Sequence, residues 1–432
     1  MRVCIFSNRA VNRVLRFECS RLLMPLVFVF LSAGAAFAQI APSRTWEELK
    51  AETQRRVDKN LSPVTGLKPE DAREALANIH SLDRDEWAAA WSAIAQRYEQ
   101  RARQEEQAKN ISAARDDYFW AFRYYTTARW PVPNSPGKQK AYEKALAVFR
   151  SYAKYLDPPV QVAQIPFEGK ELIGYFRIPK ASGPVPVVLI INGTDSRKED
   201  QIQEGAALYR SGIGVVAVDA PGTGEAPIKA DLGAERMFSR VLDYLATRPD
   251  IDSKRIIAWG VSWGGHWSAN LGYTERERLR GVVVQGGPVH DYYSAEWQKK
   301  SLATPEYLFD LFAARSAVYE VKTLDEFYAY GPRLSLKAQG LLGQPSAPML
   351  LVNGAKDTQV PISDLYMLLQ SGGTPKEAWV NPDGGHTGRS DDWPNARISE
   401  QIIAPWIKDH LAPDSGSDHR RTESSAVRQD AR

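Results

Sequence analysis

"RIIAWGVSWGGHWSANLGY", residues 255–273, begins as a β-branched apolar run, turns at Gly260-Val261-Ser262-Trp263-Gly264 and continues with helical spacing. That order of strand, turn and helix is the setting in which G-x-S-x-G works as a nucleophile elbow. The turn is crowded, and glycines two residues to either side of the serine keep side-chain carbons out of it. A pattern with three fixed positions arises often by chance, so the rest of the chain has to decide whether Ser262 is a nucleophile.

On either side the same rhythm recurs. "VPVVLIING" (185–193), "GIGVVAVDAPG" (212–222), "GVVVQGG" (281–287) and "APMLLVNG" (347–354) are short, nearly continuous apolar runs, as expected of strands buried on both faces of a parallel sheet. Helical stretches such as "EDQIQEGAALYRSG" (199–212) and "AERMFSRVLDYLATRP" (234–249) separate them. The pattern predicts an α/β domain, with a mostly parallel sheet flanked by helices and joined by right-handed crossovers. "VQVAQIPF" (160–167) and "LIGYFRIP" (172–179) read as an antiparallel pair at its start. The aromatic, helical stretch 288–345 interrupts the alternation and reads as a cap inserted above the sheet.

Upstream, residues 39–158 are helical in character, with apolar side chains such as Trp87, Trp91, Ile94 and Tyr98 at three and four spacing. "DDYFWAFRYYTTARW" (116–130) is read as core or interface packing, the usual fate of aromatics at that spacing. "DPP" (157–159) ends the helical pattern and marks a boundary, because proline lacks the amide proton and constrains the residue before it. The α/β domain is expected over 159–412. The polar tail 413–432 is expected to be disordered.

The first 38 residues differ again. Five arginines with one glutamate precede the apolar run "LLMPLVFVFL", and Ala36-Phe37-Ala38 follows as a small-residue cleavage site, the layout of a secretory signal cut after Ala38. A periplasmic or secreted protein is expected, without a stable membrane anchor. The segment carries +4, so the +3 of the 432-residue chain becomes −1 after its removal, and a nucleic-acid partner is not suggested. Cys4 and Cys19, the only cysteines, leave with it, which excludes thiol catalysis and thiolate metal sites in the mature protein.

A serine hydroxyl needs a base. Of six histidines, His80 lies in the helical region, His419 in the tail, His290 at the start of the cap and His410 at the end of the last helix. His266 lies on the helix that the elbow starts, where its side chain runs along the helix. His386, in the Gly-rich loop "NPDGGHTGRS" (381–390), remains and satisfies the chain order serine, acid, histidine. Asp357, just past the strand ending at Gly354, is the best-placed acid. Asp364 reads as a first-turn helix acid and Asp383 as a turn former. Backbone amides of Trp263 and of Thr194, in "INGTDSRKED" (191–200), are the expected oxyanion donors, with the Asp195 side chain bracing that loop. No histidine pair has metal-ligand spacing, and no cofactor is called for.

Together "GYFRIPKASGPVPVVLIINGTDSRKED", "VDAPGTGEAP", "WGVSWGGHWSA" and "NGAKDTQVPI" resemble the FrsA-like serine hydrolases of the α/β-hydrolase superfamily. That group takes in pseudooxynicotine-pathway C–C hydrolases and fungal polyketide-shortening hydrolases. The resemblance covers about residues 160–410. It implies an α/β-hydrolase fold under an N-terminal helical domain, a triad falling on Ser262, Asp357 and His386, and often a homodimer. Asn192 stands where these relatives usually have glycine.

The expected activity is cleavage of a carboxylic ester, or of a C–C bond next to a ketone, through an acyl-enzyme. The expected partner is a small apolar or aromatic substrate. Tyr293, Glu296 and Trp297 of the cap are the candidate substrate contacts. Two other classes are weighed against this. A non-catalytic binding protein on the same fold would typically have lost a triad member. A prolyl-oligopeptidase-like peptidase would normally carry propeller repeats, and none is visible before residue 160.

Overall fold

The computed structural model describes residues 44–413. The expected export signal with its cleavage site, and the tail beyond residue 413, lie outside the described residues.

Five helices come first: α1 (Trp46–Asp58), α2 (Pro69–Ala77), α3 (Arg84–Gln107), α4 (Ile111–Arg129) and α5 (Pro136–Ala153). Local signals set their starts. Thr45 and Glu48 cap α1 reciprocally, Asp83 accepts two amides at the start of α3, and Ser135 followed by Pro136 opens α5. The inward face of α3 carries Trp87, Trp91, Ile94 and Tyr98, all buried. Tyr118, Phe122, Tyr124 and Tyr125 of α4 are buried in the same core, so most of the aromatic stretch at 116–130 packs rather than faces a ligand. The Asp71 carboxylate accepts from the hydroxyls of Tyr98 and Tyr124, each at 2.6 Å.

The sheet has eight strands, β1 (Gln161–Phe167), β2 (Lys170–Arg177), β3 (Val185–Ile191), β4 (Gly214–Val218), β5 (Ile251–Val261), β6 (Gly281–Gln285), β7 (Met349–Gly354) and β8 (Lys376–Asn381). Their order is β1-β2-β4-β3-β5-β6-β7-β8. The β1–β2 and β2–β4 pairs are antiparallel and the other five parallel. Between them run α6 (Lys198–Glu204), α7 (Ala206–Tyr209), α8 (Arg236–Thr247) and α9 (Trp263–Thr274). Every residue of β4, β6 and β7 is buried, which is why these strands read as nearly continuous apolar runs. Sequence order reverses beside β3, and that opens a crevice at the carboxyl ends of β3 and β5.

Between β6 and β7 the expected cap is present as three short α-helices (Ala295–Leu302, Leu311–Ala317 and Leu324–Tyr330) with two 3₁₀ turns. Its segment 305–308 is held by arginines at the start of the helical region. Arg44 donates to the carbonyls of Pro305, Tyr307 and Leu308, and Arg56 of α1 to that of Glu306.

Candidate active site

Ser262 lies between β5 and α9 with φ 54° and ψ −117°, a conformation that side chains avoid because Cβ crowds the backbone. Packing enforces it. A Cβ on Gly260 would lie 1.9 Å from the Gly264 carbonyl oxygen, and one on Gly264 would lie 2.1 Å from that of Ile191. The elbow is therefore pressed against the ends of β3 and β5, and glycine is required on both sides of it. The Ser262 amide donates to the Gln285 carbonyl at 2.7 Å, which pins the turn to the end of β6.

Asp357 follows β7 and His386 follows β8. Asp357 Oδ2 lies 2.8 Å from His386 Nδ1, and His386 Nε2 lies 2.8 Å from Ser262 Oγ. A carboxylate only accepts, so the proton sits on Nδ1 and Nε2 is left to accept from the serine hydroxyl. The other carboxylate oxygen, Oδ1, accepts the amides of Gln359 and Val360 at 2.7 and 2.9 Å. Burial alone would raise the Asp357 carboxyl above its ordinary range. The His386 ring and these amides outweigh burial and hold it below.

His266 is fully buried four residues beyond Ser262. Its Nδ1 lies 2.9 Å from the Tyr293 hydroxyl and 3.2 Å from the Pro288 carbonyl, its ring stacks on Trp263, and burial lowers its pKa to about 4. His290 faces Ser335, and His410 stacks on Trp406. Asp383 pairs with Lys356 at the surface. Asp364 does more than sit in a first helical turn: its carboxylate accepts the amides of Val289, Asp291 and Tyr292 and so anchors the start of the cap.

A narrow cavity holds Ser262 and His386 together with Thr194 and Trp263, the two residues expected to supply oxyanion amides. The neighbouring Gly193 amide is taken by Ser196 Oγ at 3.1 Å. Asn192 is buried and organises the loop: Nδ2 donates to the carbonyls of Gly193 and Ser196 and to Thr223 Oγ1, and Oδ1 accepts the Ala220 amide. Asp195 braces the loop from above by accepting from Trp130 Nε1 at 3.2 Å and from the Tyr307 hydroxyl at 2.9 Å. A larger, more open cleft beside it is lined by Val132, Arg197 and Lys229 among others but contains none of Ser262, Asp357 and His386. Chemistry, not volume, selects the smaller one.

The expected substrate contacts lie as follows. Glu296 is exposed and lines no part of this cavity. The buried residues of its helix are Gln298, Ser301 and Leu302, and position 296 falls on the opposite face. Trp297 donates to the Gln359 carbonyl at 3.1 Å without reaching the cavity. Tyr293 turns toward His266, and its neighbour Tyr292 faces the cavity instead.

Sequence reasoning also missed Arg315 and Leu311, which line the cavity, and Glu306. Glu306 accepts the His386 amide at 2.9 Å, and its other oxygen accepts the amide and hydroxyl of Thr358. No local pattern marks them, because their roles depend on how the cap folds back.

A family model described as "Esterase FrsA-like" matches residues 64–382, a segment that includes Ser262 and Asp357 and ends short of His386. Among curated relatives, Esterase FrsA of Vibrio cholerae is 27% identical over 340 residues, covering 72% of this chain and 79% of its own. Esterase FrsA of Photobacterium profundum is 23% identical over 382 residues, covering 86% and 87%. Among solved structures, a 2,6-dihydroxy-pseudo-oxynicotine hydrolase superposes with TM-score 0.69 at 23% identity, covering 82% of this chain and 95% of its own. AbyA5 superposes with TM-score 0.65 at 22% identity, covering 83% and 94%. These likenesses show the α/β-hydrolase fold.

Proposed function

The chain belongs to the FrsA-like esterase family, an α/β-hydrolase enzyme by fold and kinship, and from that premise we propose that it is an exported serine hydrolase acting on a small carbonyl substrate. His386 Nε2 takes the proton of Ser262 Oγ as the oxygen attacks the carbonyl carbon. The amides of Trp263 and Thr194 donate to the oxyanion, each worth roughly 10²–10³ in rate. Asp357 holds the ring in the Nδ1-protonated tautomer and stabilises the imidazolium that forms. The tetrahedral intermediate expels the leaving group, which takes the proton from His386. Water, deprotonated by the same histidine, then cleaves the acyl-enzyme. The observation that carries this reading is the unbroken line Asp357–His386–Ser262, with two contacts of 2.8 Å, in one cavity with both amide-bearing residues.

The favoured substrate is a carboxylic ester. A C–C bond beside a ketone fits the same apparatus where the leaving carbanion is stabilised. Walls of Pro288, Leu311, Val360 and Tyr292 suit an apolar or aromatic body. The layout of residues 1–38 supports export with cleavage after Ala38. We further propose a homodimer, which light scattering would test. The deciding experiment for the reaction is a panel of aryl esters set against β-diketones. Ester turnover abolished in Ser262→Ala supports the reading, and turnover retained in that variant overturns it.

A further inference from the structure

Arg315 projects from the cap helix Leu311–Ala317 into the cavity that holds Ser262 and His386 and is itself 97% buried. Its partners are all neutral. Nη1 donates to Gln298 Oε1 at 2.7 Å, Nη2 donates to Ser301 Oγ at 2.8 Å and to the Gln359 carbonyl at 3.0 Å, and the guanidinium lies 5.1 Å from the centre of the Tyr292 ring. A guanidinium has five N–H donors. These three bonds leave Nε–H and one Nη1 hydrogen without an acceptor among the described residues.

The carboxylates nearby are committed elsewhere. Asp357 is bound by His386 and two amides, Asp364 by three amides of the cap, and Glu306 by His386 N and Thr358. Among the described residues none forms an ion pair with Arg315. A buried cation that the protein does not neutralise is costly unless something else brings the opposite charge. A cavity that holds one such cation and no free carboxylate selects for an anion, and a planar fork suits a carboxylate.

We infer that Arg315 recognises a carboxylate on the substrate, so the molecule cleaved at Ser262 is an ester carrying a free carboxylate a few bonds from the scissile carbonyl. This deepens, and rests on, the serine-hydrolase reading. The acid can belong to the acyl chain, as in a dicarboxylic half-ester, or to the leaving group, as in an acylated hydroxy acid. Leu311, Val360 and Pro288 enclose the carbon skeleton while the guanidinium takes the charged end.

Two matched pairs of esters distinguish the sources: 4-nitrophenyl hemisuccinate against 4-nitrophenyl butyrate, and 4-acetoxybenzoate against phenyl acetate. Purified protein is expected to show at least ten-fold higher kcat/KM for the carboxylate member of one pair, mainly through KM. That ratio is expected to collapse toward one in Arg315→Gln and to survive in part in Arg315→Lys. No carboxylate preference in either pair, or a preference unchanged in Arg315→Gln, overturns the inference. Should the variants fail to fold, protection of wild-type Ser262 from a fluorophosphonate probe replaces them: glutarate should protect and glutaramide should not, and equal protection or none overturns the inference. A protein that takes the fluorophosphonate and cleaves esters without preference refutes Arg315's role alone. One that does neither refutes the serine-hydrolase reading and this inference with it.

Discussion

The Glu306 carboxylate accepts the His386 backbone amide at 2.9 Å, and its second oxygen binds Thr358, the residue after Asp357. A cap residue thus ties the loop bearing the histidine to the loop bearing the acid. The carbonyl of Glu306 is in turn held by Arg56 of α1. The helical region, the cap and the hydrogen-bond line at Ser262 are mechanically continuous.

Glu306→Ala is therefore expected to lower stability by about 1–3 kcal/mol, the cost of leaving two amides and a hydroxyl without their acceptor. It is also expected to lower kcat more than it raises KM, because the histidine loses its support. Glu306→Gln keeps one acceptor oxygen and should fall between. Thermal unfolding with steady-state kinetics on one aryl ester checks both.

Replacing His386 with alanine should reduce turnover by roughly 10³–10⁶, since serine, histidine and acid act as a unit. His266→Ala should keep activity within about ten-fold while lowering the melting temperature, because it empties a buried site against Trp263 and Tyr293. The opposite pattern would exchange the two histidines.

Removing the serine should stabilise the fold. Ser262 is held at φ 54°, ψ −117°, a conformation glycine reaches far more easily. Ser262→Gly is expected to unfold at higher temperature, by about 1 kcal/mol of added stability, with no hydrolytic activity. A lower melting temperature would show that the elbow is not strained.

The buried His266 predicts an acid limit. Its pKa is lowered to about 4 in the folded state against 6.5 when free. The unfolded chain therefore binds the extra proton in that window, and stability falls as pH drops from 6.5 toward 4, by up to about 3 kcal/mol. Asp364, raised to about 6 by burial, works the other way, its contribution being lost as pH rises from 3.8 to 6. The difference between wild-type and His266→Gln stability across pH 4–7 isolates the histidine: relative to the variant, the wild type should lose up to about 3 kcal/mol as pH falls from 6.5 toward 4.

Much of this architecture is legible in the chain because it is dictated locally. Strands buried on both faces tend to be nearly continuous apolar runs, as β4, β6 and β7 are. The elbow must place glycines at 260 and 264, and acid and histidine must follow successive strands. What was illegible depends on tertiary return. In the helix Ala295–Leu302 two of the three buried positions are polar, Gln298 and Ser301, so the pattern gave no sign that Glu296 faces away from the cavity and that Trp297 stops short of it. Gln298 and Ser301 are inward because they hold Arg315, and that pairing spans separate cap helices. Glu306 likewise sits in a connecting segment without periodicity, and its importance comes from two loops that reach it from far along the chain.

The central claim is that Ser262 is an activated nucleophile. Treatment with a fluorophosphonate followed by peptide mass mapping tests it most directly. One adduct on the peptide carrying Ser262, absent in Ser262→Ala and strongly slowed in His386→Ala, is the expected result. A folded wild-type protein that takes no label, or takes it at another serine, would contradict the account.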